Sequence, residues 1–397
     1  MKKAAVIGGG ASGLMAALSA SELYRTVVFE KNERTGRKLA QTGNGRCNLT
    51  NEAAGSGHYY GNDFVEGALM RFGPEDTLRY MEGIGLLARR EYGGRYYSFS
   101  GQAGSVVDAL RFALEKKGVE LRTGTRVTGV EKKDERFTVR SEKGEETFDY
   151  VIVCCGSMAA EKLGGCSDGL DILRSLGHRV IKPVPALVPV MTDNTYTRML
   201  KGVRVQGKAT LMGEDGTPVR AALGDILFTD YGISGPAVMD VSRFCTGHKG
   251  LRIETDMFPD MDEADLEELL KKMTGLRETA GELFTGLLNN KLSVILAKYC
   301  GIEPGRKAAE LSSKDALKLA HAAKNMSFDV KGTTGFPNAQ TVRGGALTGQ
   351  FDQNTLESLI VKGLFAAGEV LDVDGECGGF NLQWAWSSGY VAGRCGR

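Results

Sequence analysis

The most constraining feature of the chain is the run Gly8-Gly9-Gly10-Ala11-Ser12-Gly13, a G-x-G-x-x-G between an apolar stretch, Ala4 to Ile7, and a stretch with leucines at 14, 18 and 23. Thr26 to Phe29, β-branched and aromatic, reads as a second strand, and Glu30 closes it. Strand, glycine turn, helix, strand and acid together make a complete β-α-β dinucleotide-binding unit. Each residue has a physical role. Gly8 turns the chain sharply off the strand, Gly10 leaves room for a pyrophosphate against the backbone, and Gly13 lets helix and strand pack closely. Ala11, Ser12 and Gly13 open the helix, whose free N–H groups and positive dipole end face the phosphates. Glu30 accepts a hydrogen bond from a ribose 2′-OH and would repel a 2′-phosphate, which argues against NADP at this position.

A secretory leader would also begin with Lys2-Lys3 and an uncharged run, and Ala17-Leu18-Ser19-Ala20 resembles a cleavage site. Four glycines make that run a poor apolar segment, so the nucleotide reading is preferred over a leader.

At 397 residues the chain can hold two or three domains. Its 50 Lys and Arg against 49 Asp and Glu give no electrostatic reason to expect nucleic acid or an anionic membrane as partner. No later stretch has the run of apolar residues that a bilayer span needs. The eight cysteines form no C-x-x-C, and Cys154 and Cys155 sit in an apolar strand, where cysteine acts as a small hydrophobe. A reduced, cytoplasmic protein is expected. The four histidines (58, 178, 248, 321) have no metal spacing, so no metal is expected.

The loop after Glu30 is rich in basic, glycine and amide residues: Lys31, Arg37 and Lys38, then Gly43, Gly45, Arg46 and Asn48. It directly follows the ribose acid and is suited to wrap a phosphate and to hydrogen-bond a polar ring edge. Residues 75–92 read as an amphipathic helix. Tyr92 to Phe99 reads as an aromatic strand. Ser105 to Lys117 reads as a helix with Ser105 as N-cap, Asp108 in its first turn and Gly118 as its stop. Val119 to Leu121 and Gly124 to Val130 read as strands, followed by a hairpin around Lys143-Gly144. Tyr150 to Cys155 reads as a buried strand whose end, Gly156-Ser157, is a second place for backbone to meet a cofactor.

Pro183, Pro185 and Pro189 mark the entry to an insertion. Short strands are expected at 186–190, 203–211, 219–223, 226–228 and 251–255, forming a small barrel or sandwich, with a helix starting at Pro236. From 262 to about 323 the spacing is helical, with a segment around Leu283, Leu287 and Leu288, and strands resume at 327–330 and 340–342.

The opening unit, the strand around Val127 and the 150–155 strand resemble flavoproteins with a glutathione-reductase-like FAD domain. Longer motifs sharpen this: GRKL (36–39) with GNGRCNLTN (43–51), LFTDYGISGP (227–236), and Gly363 to Gly375 followed by Gly378-Gly379-Phe380-Asn381-Leu382. With these, nearly the whole chain resembles the BaiN-type family of FAD-dependent oxidoreductases, which includes bile-acid 3-dehydro-Δ4,6-reductases and aminoacetone oxidase-like members. The resemblance implies an α/β fold: a Rossmann-like FAD-binding domain (1–185 and 346–397) interrupted by an inserted β-barrel or sandwich subdomain (186–260 and 325–345) that carries a helical subdomain (261–324). It implies that Val127 meets the adenine through its backbone and that Glu369 lies near the ribityl-pyrophosphate. Gly379 leads into a helix whose first N–H groups, at Asn381 and Leu382, meet the flavin's pyrimidine edge, where the dipole stabilises negative charge on the reduced ring. Gly389 and Gly393, four apart, let that helix press on its neighbours.

Two positions depart from the family: Asp230-Tyr231, where relatives often carry His before the aromatic, and Arg343, where they often carry a small residue. The expected activity is an NAD(P)H-dependent reduction of a conjugated C=C, such as an enone, in a small hydrophobic substrate. The chain has no second G-x-G-x-x-G, so the nicotinamide would bind transiently. The same absence favours an alternative, an oxidase acting on an amine or other small substrate with O₂. A non-enzymatic flavin redox sensor is the third reading. Tyr97 and Tyr231 are possible proton donors, and the sequence singles out no catalytic acid or base and no oligomeric state.

Overall fold

The computed structural model describes residues 1–60, 63–193, 195–394 and 396. The chain divides into two compact units, Met1–Val184 with Gln340–Arg397, and Pro185–Ala339.

The first unit is built on a five-stranded parallel sheet. Strand β1 (Lys3–Ile7) lies at its centre, between β2 (Arg25–Phe29) and Tyr150–Val153; Glu120–Arg122 and Leu364–Ala366 form the edges. Ala4, Ala5, Val6, Val151, Ile152 and Val153 are fully buried, as strands covered on both faces require. Helix α1 (Ala11–Ala20) crosses from β1 to β2 and ends three residues before Leu23. The last strand and last helix complete what the first residues begin. Leu364–Ala366 pairs with Tyr150–Val153, and the C-terminal helix Phe380–Gly393 lies along α1. A Cβ on Gly393 would sit 2.5 Å from the Ala16 carbonyl oxygen, and one on Gly389 would overlap the Ser12 carbonyl. This is the close approach that the glycine spacing predicts.

The C-terminal helix is buried on all sides rather than amphipathic, so its polar groups need partners. Gln383 accepts from Thr50 Oγ1 at 2.6 Å and donates to Thr77 Oγ1 and Ser387 Oγ; Trp386 Nε1 donates to the Leu49 carbonyl. These bonds fix the helix against strand Asn48–Asn51, which belongs to a three-stranded antiparallel sheet with Arg95–Ser98 and Ala88–Arg90.

Several boundaries differ from the sequence expectation. The helix expected over 75–92 spans Pro74–Gly83; Gly85, at φ +85°, ends it, and the rest forms Ala88–Arg90 and a turn. A helix at Val65–Arg71 carries no motif that marks it in sequence. The next helix is Ala103–Lys116 with Gln102 at its N-cap, so Ser105 lies inside it and Asp108 beyond its first turn. Residues 340–345 belong to the first unit and not to the insertion. Strand Thr341–Ala346 pairs with Val180–Ala186, and the Gly344 N–H donates to Asp372 Oδ1 at 2.8 Å.

His178 is buried in this unit. Its Nδ1 lies 3.1 Å from the Leu173 carbonyl and its Nε2 2.8 Å from Ser358 Oγ. A carbonyl only accepts, so Nδ1 carries the proton and Nε2 accepts from the Ser358 hydroxyl: the ring is neutral. Burial pushes its pKa below the ordinary value of 6.5. The unfolded chain therefore takes up a proton that the folded chain refuses. Stability is fully present above about pH 6.5 and falls as the pH drops below that value toward the depressed folded pKa. Urea titrations at pH 7.5 and 5.5 should show this loss, and it should shrink in His178→Gln.

The second unit is a closed six-stranded antiparallel barrel in the order Val190–Thr192, Gly232–Ser234, Pro218–Phe228, Arg204–Met212, Arg252–Asp256, Met326–Thr333, with the last strand pairing back to the first. The two strands expected at 219–223 and 226–228 are one. Gly224 lies within it at φ +151°, where a Cβ would come within 3.3 Å of the Ala237 nitrogen, so the glycine marks a close approach of helix Pro236–Ser242 and not a break. The strand expected at 186–190 is instead the end of Val180–Ala186 and the start of Val190–Thr192. Helices Glu263–Met273, Asn290–Tyr299 and Ser313–Asn325 follow. Between them the leucine-rich 283–288 segment is a turn and an isolated bridge, not the expected helix. Among the described residues no helix is long and apolar enough to cross a membrane, and no His, Cys, Asp or Glu group could hold a metal ion.

Candidate functional site

The Gly8–Gly13 turn has the geometry its sequence implies. Gly8 sits at φ +107°, and its Gly8 N–H donates to the Phe29 carbonyl at 2.8 Å. A Cβ on Gly8 would overlap the Cys154 carbonyl, and one on Gly13 would overlap the Gly8 carbonyl oxygen. Gly10, the N-cap of α1, has no heavy atom within 4 Å of where a Cβ would stand. The first and third glycines are thus demanded by protein, while the middle one faces open space. No side chain caps α1 and no acid lies in its first turn, which leaves the N–H groups of Ala11, Ser12 and Gly13 for a ligand. Ser12 itself is buried: a Cβ on Gly368 would lie 2.5 Å from its hydroxyl, so that side chain is turned into the fold.

Glu30 stands at the end of β2, buried. Its Oε2 accepts from the Gly9 N–H and its Oε1 from the backbone and side chain of Asn32, at 2.8, 2.8 and 2.6 Å. A carboxylate has about four acceptor positions, so one is left for a ribose hydroxyl. The Thr125 N–H donates to the Glu30 carbonyl and the Gly124 N–H to that of Asn32, which brings the start of strand Val127–Lys133 alongside. Asn32 carries no sequence signal beyond its place after the acid.

The basic residues of the following loop are engaged with protein. Arg37 donates to Asn32 Oδ1 and the Lys162 carbonyl, both at 2.9 Å. Lys31 interacts with Cys166, whose thiol burial pushes up and Lys31 pulls down. Lys38 Nζ lies 2.5 Å from Glu369 Oε2, to which Ser157 also donates at 2.9 Å, so the two predicted cofactor residues 38 and 369 pair with one another beside Gly156. The sequence marks Gly156-Ser157 as a place where backbone can meet a cofactor; the Ser157 hydroxyl bond to Glu369 has no signal in sequence. Gly156 itself, at φ +71°, has open space at its Cβ position. Arg46, read in the sequence as part of the same loop, lies 2.5 Å from Glu91 and its guanidinium stands 4.3 Å from the centre of the Tyr97 ring.

A second cradle lies at the start of the C-terminal helix. Gly379, its N-cap, sits at φ +107°, and a Cβ there would be 2.6 Å from the Thr50 backbone and 3.0 Å from Asn48 Oδ1. No side chain caps this helix and its first turn holds no acid. The Asn381 side chain clamps the preceding loop through Gly375, leaving its backbone N–H and that of Leu382 for a ligand. Asn48 is buried and its Oδ1 has no hydrogen-bond partner. Asn48 and Tyr97 are cross-strand partners and so share a sheet face. Gly43, Gly45 and Cys47, at φ +58°, +80° and +59°, shape the loop beside them. The buried Cys47 and Cys154 thiols are pushed up to about 12, which suits small hydrophobes and not nucleophiles.

These observations fit FAD. Two uncapped helix N-termini, glycine-lined open space at Gly10, Gly45 and Gly156, a buried acid with one acceptor position left, and an orphaned buried amide all belong to one unit. Tyr231, in the other unit, is 40 % exposed, and Asp230 pairs with Lys201 at 2.6 Å.

Comparison with known proteins gives the same picture. The family model described as HI0933-like protein Rossmann domain matches residues 2–395. The chain is 36 % identical to a 3-dehydro-bile acid delta(4,6)-reductase of Clostridium scindens, over 99 % of this chain and 98 % of that protein. It is 30 % identical to a ribosomal RNA dihydrouridine synthase of Haemophilus influenzae, over 97 % of this chain and 96 % of the other. Among solved structures, the 3-ketosteroid delta1-dehydrogenase of Sterolibacterium denitrificans shares the fold with a TM-score of 0.52 at 13 % identity, over 99 % of both chains.

Proposed function

Because the chain belongs to the HI0933-like family of FAD-dependent oxidoreductases, we propose that it reduces a carbon–carbon double bond conjugated to a carbonyl in a small hydrophobic substrate, with NAD(P)H as a transient hydride donor. The observation that carries this reading is the 36 % identity, end to end, with a reductase of a 3-dehydro-bile acid. The reaction class has support from the second relative as well. Dihydrouridine is uridine saturated at the C5–C6 bond, which is conjugated to the C4 carbonyl, so both relatives saturate the same chemical group in different molecules.

Bound FAD supplies the hydride chemistry. The chain's part is to bind and orient it. Gly10 and the α1 N–H groups would hold the pyrophosphate, Glu30 the adenosine ribose, and the backbone at Val127 the adenine. Lys38 and Glu369 would lie toward the ribityl-pyrophosphate. The N–H groups at Asn381 and Leu382 would meet the ring's pyrimidine edge, where the helix dipole favours negative charge.

The 30 % identity to a ribosomal RNA dihydrouridine synthase favours a second reading, in which the substrate is a uridine in RNA. The charge distribution weighs against it. Residues 185–339 hold 19 lysines and arginines against 20 acids, and phosphate-dense ligands are held by a basic excess.

The test is anaerobic absorbance of the FAD-loaded protein. NADH or NADPH should bleach the flavin, and a steroid 4-en-3-one or 4,6-dien-3-one should restore it without O₂. Restoration by air alone would favour the oxidase, and no bleaching by either nucleotide would overturn the reductase. Dihydrouridine appearing in ribosomal RNA, with no steroid turnover, would establish the second reading.

A further inference from the structure

We infer that the side-chain amide of Asn48 is a hydrogen-bond partner of the flavin ring and raises the flavin's midpoint potential. The inference rests on the FAD reading above and goes beyond it by assigning one side chain a role beside the backbone N–H groups at Asn381 and Leu382.

Asn48 is 8 % exposed, yet its Oδ1 is fully enclosed with no partner. That oxygen faces the N-cap of a 14-residue helix, 3.0 Å from where a Gly379 Cβ would be. There the dipole's positive end offsets part of the cost of leaving it unbonded. The other end of the amide, Nδ2, makes no hydrogen bond to a described residue and is not among the enclosed side-chain atoms. The amide is therefore held with its oxygen against the helix and its nitrogen toward accessible space.

Neighbouring buried amides do not behave this way. Gln383, one strand-to-helix contact away, uses both ends of its amide on protein. Asn51 donates to the Gly378 and Gly93 carbonyls and accepts from Ala53, and Asn381 exchanges bonds with Gly375. Oδ1, locked against the helix, fixes the amide's orientation, so that Nδ2 is left as a pre-aimed donor with no protein acceptor among the described residues. The ligand group that such a donor fits is the pyrimidine edge of the isoalloxazine, whose carbonyl oxygens and ring nitrogens accept hydrogen bonds. These acceptors gain electron density on reduction, so a donor aimed at them stabilises the reduced ring more than the oxidised ring and raises the potential.

Two variants and two probes test this. In Asn48→Leu the orphaned oxygen is replaced by a group of similar size with nothing to satisfy, so the apoprotein's melting temperature stays level or rises. FAD should bind about three- to tenfold more weakly, the size expected for one hydrogen bond. ADP shares the adenine, ribose and diphosphate of FAD but has no ring, and its affinity should be unchanged. The midpoint potential, measured against reference dyes, should fall. Asn48→Asp keeps the size and adds negative charge beside the ring, so its potential should fall further, again with ADP unaffected. Equal weakening of FAD and ADP, or a lower apoprotein melting temperature with an unchanged potential, would show a structural role and overturn the inference. So would unchanged FAD affinity and potential in both variants. A wild-type chain that binds ADP but no FAD, or neither, would overturn the flavin reading itself and this assignment with it.

Discussion

Gly13→Ala should abolish stable FAD binding, while Gly10→Ala should weaken it in a protein that folds as the wild type does. The contrast comes from what each new methyl would meet. At Gly13 the Cβ would lie 1.9 Å from the Gly8 carbonyl oxygen and 3.3 Å from the Cys154 side chain. Real Cβ atoms do not approach an oxygen that closely, so α1 must move off β1 by more than an ångström. That movement displaces the N–H groups at the α1 N-terminus from the phosphates. Each phosphate hydrogen bond lost in this way weakens binding, those to a charged group by about 1.5–3 kcal/mol, and overpacking adds about 1–3 kcal/mol of destabilisation. At Gly10 the methyl meets nothing within 4 Å. The fold is unaffected and the methyl stands in the space the pyrophosphate would occupy. Flavin content after purification, FAD titration of the apoproteins and their melting temperatures separate the two. A Gly13→Ala protein that retains flavin at the wild-type level would show that this turn is not the phosphate site.

That contrast also shows which parts of the molecule could be read from the sequence. Gly8, Gly10 and Gly13 were legible because strand, turn and helix fall within about thirty consecutive residues; that the Gly8 position is also closed off by the Cys154 carbonyl, far along the chain, was not. The long barrel strands Arg204–Met212 and Arg252–Asp256 were legible for the same reason, since alternation marks a strand wherever it pairs, whereas the three-residue strands Val190–Thr192 and Gly232–Ser234 are too short to show it. Helix ends were less so. Ser105 has the chemistry of an N-cap, yet the helix begins at Ala103, because tertiary packing of Ala103 and Val106 outweighs a capping bond worth about 1 kcal/mol. The pairing of Lys38 with Glu369, 331 residues away, has no local signature at all. Arg46 has the composition of a phosphate ligand, and only the structure shows Glu91 and Tyr97 beside it. Asn48 was picked out by its place in a polar loop; that its amide is buried and unsatisfied is a property of the assembled sheet and helix.

Lys324→Met should destabilise the barrel-and-helix unit by about 3–5 kcal/mol, the cost of leaving a buried charge without its partner. Lys324 lies in the last turn of helix Ser313–Asn325, where the helix dipole favours a cation. Its ammonium is 3.0 Å from Asp256 Oδ2 and 3.1 Å from Oδ1, and it donates to the carbonyls of Phe258 at 2.6 Å and Met261 at 2.5 Å. Both side chains of the ion pair are almost nine-tenths buried, at 13 % and 12 % exposure. The lysine thus gathers the end of barrel strand Arg252–Asp256 and the loop that leads into helix Glu263–Met273 onto one charge. Methionine fills the stem's volume but leaves Asp256 ionised in a poorly solvated place and the two carbonyls without a donor. Pairing Lys324→Met with Asp256→Leu removes the stranded charge and should recover part of the loss. Recovery stays incomplete because the Phe258 and Met261 carbonyls remain unbonded and the Phe258 N–H loses Asp256 Oδ1, its acceptor at 2.9 Å. Urea unfolding of the wild type, both single variants and the pair gives the coupling directly. Additive losses would mean that water reaches the site and that the ion pair does not hold this loop.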